Sequence, residues 1–274
     1  MSALILLSIL GVVLLYMGIG GNNRLLAPTA ILGLAVAFVF SWTGWDPGLM
    51  TFPAMLQFDR MSALFNCSMI GITLLLCVFG IDYYAREKEN VAEQFALMIF
   101  SLVGALLLTS WTNLLMLFLG IEVLSIPLYI LAGAKKHSHR SGEASFKYFL
   151  MGSFASAFLL MGIALIYGVS GSFEMSAIAE KMAGANGTSV LFVLGSFFTA
   201  IGLLFKVAAA PFHFWTPDVY EGSPTIVTAF MATVVKTAAF AALYRFVDMG
   251  ALPAALGGTL LVITIVTLFV GNII

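Results

Sequence analysis

Residues 202–224 read GLLFKVAAAPFHFWTPDVYEGSP. The stretch opens as an apolar helix, yet Lys206 stands inside it with no neighbouring charge in sequence. Five residues on, Pro211 removes a backbone donor, and His213, Pro217, Asp218 and Glu221 follow closely. A lysine in apolar surroundings is costly, because an ammonium stripped of water needs a partner. The reading of this stretch decides the fold. If its apolar arm crosses a membrane, the remaining chain must consist of similar spans and must supply Lys206 with something to interact with.

The composition around it agrees. Of 274 residues, 61% are hydrophobic and 9% charged, with a mean hydropathy of +1.07. Soluble domains carry about 25% charged residues, so a chain this poor in charge cannot clothe itself for water, and a polytopic membrane protein is expected. The net charge of -1 argues against nucleic acid as a partner, since that would call for a basic patch. Cys67 and Cys77 lie ten residues apart in one apolar segment; they fit no metal-ligand spacing and read as small buried side chains. The N-terminus begins apolar without a basic leader, so the first segment is expected to be a retained span.

A span needs about 20 apolar residues. Such stretches run over 2–20, 27–45, 59–81, 92–109, 112–133, 144–169, 189–212, 225–246 and 252–274. They are long enough to be helices, and the alternating segments of about ten residues that mark a membrane barrel are missing. An all-α polytopic bundle with about nine transmembrane helices is therefore expected. The most basic loop holds Lys135, Lys136, His137, His139 and Arg140, with Lys147 close behind. The positive-inside rule puts it in the cytoplasm, together with Arg24, Arg86 and Lys88 and the turn over residues 216–224, and puts the N-terminus outside. The opposite loops hold Arg60, Lys181 and, at a helix end, Arg245. The chain stops at Gly271, Asn272, Ile273 and Ile274 directly after an apolar run, and a truncated chain is expected.

Most charges fall in loops or at span ends, but Glu122, Lys206 and Lys236 fall inside spans. A charge at the bilayer centre costs about 2.5–3.5 kcal/mol on insertion scales, and an intramembrane ionisable group is a functional candidate by default. Lysine near a helix end can instead snorkel. Glu122 is followed five residues later by Pro127, as Lys206 is by Pro211. Each proline deprives the carbonyl four residues back of its donor, so free carbonyls at Val123 and Val207, and hydrated breaks beside both charges, are expected. A carboxylate and an ammonium about 7 Å apart attract by about 2.4 kcal/mol at an effective dielectric near 20. Moving Glu122 toward or away from a lysine would thus hold or release a proton; a static salt bridge pinning two helices would use the same residues. His213 could relay a proton or make a structural hydrogen bond. His137 and His139 read as solvated, and Asp218 and Glu221 as surface acids or as the mouth of a path. Trp42, Trp45, Trp111 and Trp215 suit interfacial anchoring. With no CxxC, no paired-histidine haem or copper site, no phosphate-cradling glycine loop and no nucleophile elbow, no redox chemistry is expected on this chain.

The run from residue 202 on to TIVTAFMATVVKTAAF at 225–240, the segment LFLGIEVLSIPLYILAG at 117–133 and the KYF at 147–149 carry a resemblance. They resemble the antiporter-like membrane subunits of NADH–quinone oxidoreductase, respiratory complex I, in the wording of its subunit N group. The likeness is read from about residue 90 onward, the first three spans matching only in general character. It implies two inverted five-helix repeats, each with one broken helix. Residues 1–90 would form a three-helix segment, 91–250 the first repeat with its seventh helix broken, and 251–274 the first helix of an incomplete second repeat. By motif match it implies proton-transfer roles for Glu122, Lys206 and Lys236. It also implies a multi-pass translocase subunit of the cell inner membrane, in contact with lipid and with other membrane-arm subunits. FMN, iron–sulfur clusters, NADH and quinone would then be handled by other subunits. A related cation/proton antiporter or membrane-bound hydrogenase subunit shares the Glu/Lys layout, and a structural scaffold with a static ion-pair network would use it too. The wording of residues 215–220 favours the complex I subunit.

Overall fold

In lipid, every backbone polar group must be satisfied inside its own segment, so the long apolar stretches close into helices. The computed structural model describes residues 1–20, 23–44, 54–87, 91–183, 189–250 and 253–273. In order the helices are α1 (Ser2–Ile19), α2 (Asn23–Thr43), α3 (Arg60–Glu87), α4 (Val91–Ser110), α5 (Leu114–Ala132), α6 (His139–Ser170), α7 (Met175–Met182), α8 (Val190–Val207), α9 (Thr216–Gly222), α10 (Thr225–Phe230), α11 (Lys236–Asp248) and α12 (Ala254–Ile273). A π turn, Met231–Val235, joins α10 to α11, and the three pieces make one span. Among the described residues nine helical stretches are long and apolar enough to cross a membrane. The protein is an all-α, multi-pass membrane bundle.

Helix α4 is its axis: 83% of the α4 span is buried inside the protein, against 6% for α12. Around α4 stand α1, α3, α5 and α11, while α6 packs on α5, α8 and α9. Helices in lipid gain little from apolar burial against each other and associate by close packing through small residues. Gly104 shows this, because a Cβ there would collide with the backbone of Leu124 on α5. Ser101 Oγ donates to the Leu124 carbonyl at 2.8 Å across the same seam.

Several expectations are corrected. The seventh span ends at Val207 rather than near 212, because the chain turns left-handed at Ala208. Pro127 does not break its helix: α5 runs through it to Ala132. Pro127 is buried in a segment pressed on α4, whereas Pro211 is exposed in a loop, so packing on α4 keeps α5 continuous through its proline. Helix α6 begins earlier than expected, at His139, with the Ser138 side chain capping the Ser141 amide. The stretches after the sixth and seventh spans hold the short helices α7 and α9. Trp111 and Trp215 are fully buried rather than interfacial, while Trp42 is exposed. Cys67 and Cys77 are buried free thiols, as expected. Trp45, Lys88 and the side chains of Arg24 and Arg86 lie outside the described residues.

The two ends of the bundle differ. At one, Arg140 pairs with Glu221 at 3.1 Å and Lys147 with Asp218 at 2.6 Å, so the start of α6 and α9 share a side. At the other, Arg245 of α11 pairs with Asp59 at 2.6 Å, donates to the Thr109 carbonyl and reaches the Gln57 carbonyl at 3.4 Å. Two isolated bridges, Leu56 with Trp111 and Asn113 with Glu174, tie the loops of that end together.

Candidate functional site

The site is built on the last turn of α8. Helix ends leave orphan carbonyls, and here their partners can be named. The Ala209 amide bonds the Leu204 carbonyl at 3.0 Å and the Ala208 amide the Phe205 carbonyl at 3.1 Å, the pattern of a Schellman cap. Ala208 adopts φ 63°, where glycine is usual; for alanine this conformation costs about 1–2 kcal/mol. The Phe205 carbonyl also accepts from the Trp215 indole at 3.2 Å. The Lys206 carbonyl accepts from the Lys236 ammonium at 3.1 Å. Proline chemistry pointed to the Val207 carbonyl; the carbonyl that meets a charge is its neighbour, because Ala208 turns the chain before the proline is reached.

The Lys206 side chain points the other way, into the bundle, and the residue is 2% exposed. Its ammonium lies 5.3 Å from the ring centre of Tyr148, 5.5 Å from Tyr129 and 5.8 Å from Phe205. Among the described residues no group accepts a hydrogen bond from it, and these ring faces stand within cation–π range. Glu122 on α5 acts on Lys206 through its field without a hydrogen bond between them; the carboxylate accepts from Ser156 of α6 at 2.5 Å. Lys236, half-buried at the start of α11, sits 4.8 Å over the Trp215 ring and 6.0 Å from that of Tyr220, within range of the Lys206 charge. Trp215 stacks with Tyr148 at 4.8 Å and with Phe205 at 5.2 Å, so one aromatic group stands beside both lysines.

Glu122, Lys206 and Lys236 thus come together from three helices that are distant in sequence. The His213 ring lies against Phe214; among the described residues its buried Nδ1 has no partner, and its backbone carbonyl accepts from Thr216. Asp218 and Glu221 are exposed and held in the ion pairs with Lys147 and Arg140. Sequence reasoning missed Tyr129, Tyr148, Ser156 and the positioning of Trp215. Tyr129 was findable, since it follows Glu122 by seven residues and so shares its helix face. Arg245 was also missed; it was counted as a helix-end charge, yet it is buried at 3% exposure. Among the described residues there is no group of three or more His, Cys, Asp or Glu that could hold a metal ion.

The fold and the site define a class: a helical membrane protein with one span ending at a buried lysine, and with a carboxylate and a second lysine from two other helices nearby. The chain belongs to the family described as NADH:quinone oxidoreductase/Mrp antiporter, TM, whose profile matches residues 112–274. It is 42% identical to NADH-quinone oxidoreductase subunit N of Cytophaga hutchinsonii over 100% of this chain and 59% of that protein. The likeness therefore includes the first three spans, which sequence reading had matched only in general character. Respiratory complex I from Thermus thermophilus with bound aureothin contains a chain that is 37% identical, with a TM-score of 0.73 over 89% of this chain and 52% of that one. A chain of the membrane-bound sulfane sulfur reductase, an archaeal respiratory membrane complex, has a TM-score of 0.77 over 91% of this chain and 54% of that one, at 21% identity, which speaks to the fold alone. The chain spans about three-fifths of the length of the curated relative, at 59%.

Proposed function

We propose that this chain supplies a proton-transferring path in the membrane arm of an NADH–quinone oxidoreductase, as a subunit N, coupled to electron transfer in other subunits. One observation carries the reading: the Lys206 ammonium is buried among aromatic rings without a hydrogen-bond acceptor among the described residues, while Lys236 binds the backbone carbonyl of the same residue. An ammonium held by ring faces and a nearby carboxylate, with no fixed acceptor, is free to exchange its proton when the carboxylate or a second ammonium shifts. Identity of 42% and 37% to chains of NADH–quinone oxidoreductase supports this reading. The division into residues 1–90, 91–250 and 251–274 follows, with α4 to α11 as the first antiporter-like repeat. The end carrying Arg140, Lys147 and Asp218 faces the cytoplasm and the N-terminus faces outside, in the cell inner membrane. Other membrane-arm subunits are its partners, and flavin, iron–sulfur clusters, NADH and quinone are bound elsewhere in the complex. His213, on the loop between the broken helix and α9, is a candidate relay toward the cytoplasmic end.

The test is Lys206→Ala in the assembled complex. General acid–base groups contribute about 10²–10⁴-fold, so transfer through this path should slow by about a hundredfold or more while assembly is kept. A static scaffold would instead lose assembly, and an assembled complex that pumps normally would end the proposal.

A further inference from the structure

In an uninterrupted helix the Ala210 amide would bond the Lys206 carbonyl, four residues back. It does not. The Ala210 amide donates instead to Thr267 Oγ1 on α12, at 3.0 Å, and the Thr267 hydroxyl donates its own proton to the Ile263 carbonyl, at 2.7 Å. The hydroxyl's one donor is thereby committed, so toward the interrupted segment the oxygen can act only as an acceptor. The displaced Lys206 carbonyl is the one that takes the Lys236 ammonium.

Threonines that merely bond the carbonyl one turn back are frequent in this bundle, as at Thr29, Thr43 and Thr264. Thr267 differs in also receiving a backbone amide from another helix. Its location adds weight, because α12 is scarcely buried and lies chiefly along α8. We propose that Thr267 is a positioning residue: by holding the Ala210 amide it keeps the end of α8 unwound and leaves the Lys206 carbonyl to Lys236. The ninth span is thus linked through one hydroxyl to the contact between the two lysines. Ala208 ends α8, and Thr267 keeps the Ala210 amide from returning to the carbonyl that the ammonium occupies. The consequence for proton transfer rests on the proposed function; the consequence for the backbone does not.

The experiment uses the assembled complex with Thr267→Val and Thr267→Ala, which remove the acceptor, and Thr267→Ser, which keeps it. The first readout is hydrogen–deuterium exchange of a peptide covering residues 205–215. Loss of one net hydrogen bond should change exchange at Ala210 by up to about tenfold in the Val and Ala variants, with Ser restoring the wild-type rate. The second readout is protons pumped per NADH oxidised, expected to fall with Val and Ala, to recover with Ser, and to show no further loss when Val is added to Lys236→Met. Equal exchange in Val, Ser and wild type overturns the proposal, as does a Val effect that persists in full in the Lys236→Met background. If exchange changes as stated but Lys206→Ala pumps normally, the proton-transfer reading fails while the assignment of Thr267 to the break stands.

Discussion

Arg245→Met tests whether the end of the bundle opposite the ion-paired face of α6 and α9 holds α11, and with it Lys236, in place. The Arg245 side chain is 4% exposed and that of Asp59 35%. The guanidinium makes the 2.6 Å ion pair with Asp59 and donates to the carbonyls of Thr109 and Gln57, so it joins α11 to the end of α4 and the start of α3. Methionine keeps the apolar stem and deletes the charge. Removing one partner of a buried pair costs about 3–5 kcal/mol. Asp59 is a third exposed and can regain water, which puts the expected cost near the lower end, about 3 kcal/mol. Asp59→Asn leaves the guanidinium its two carbonyls and a neutral acceptor, for about 1–2 kcal/mol. The double variant should cost less than the sum, with a coupling of about 1–3 kcal/mol. Thermal unfolding of the detergent-solubilised protein reads this out; at about 2–4 °C per kcal/mol for chains of a few hundred residues, Arg245→Met should melt several degrees lower. Additive single costs, or an Arg245→Met midpoint equal to wild type, would refute the reasoning.

Two further outcomes follow from packing. Gly162→Val should prevent folding or assembly, since its Cβ would lie 2.5 Å from the Thr199 amide nitrogen and 2.6 Å from the Gly195 carbonyl at the α6–α8 seam; Gly168→Ala, with open space around it, should change the yield of folded protein little. Trp215→Ala should cost about 3–5 kcal/mol in thermal or denaturant stability through the lost aromatic stacking. Trp215→Phe should cost only about 1 kcal/mol, because the Phe205 carbonyl keeps the Ala208 amide; a Phe variant as unstable as Ala would show that the indole donor, not the stacking, sustains the site.

The sequence by itself determined the spans and the three charges. A bilayer demands long apolar segments, and a charge inside one is conspicuous without any knowledge of its neighbours, so Glu122, Lys206 and Lys236 were legible one residue at a time. That the helix fails after Lys206 was legible in outline from Pro211, but its end at Val207 was not. What only the tertiary structure decided is what each group touches. Two charge-then-proline pairs look alike in sequence, yet Pro127 sits in a helix clamped against α4 at Gly104, while the chain after Lys206 is released by a left-handed Ala208. Trp215 reads as an interfacial anchor and is buried in an aromatic group. Arg245 reads as a helix-end charge and is paired with a residue 186 positions away. The carbonyl that meets Lys236 depends on a hydroxyl 57 residues beyond the break. Hydropathy and backbone chemistry act locally and leave their mark in the order of residues; acceptors, ring faces and counter-charges arrive from other helices, and only packing brings them into reach.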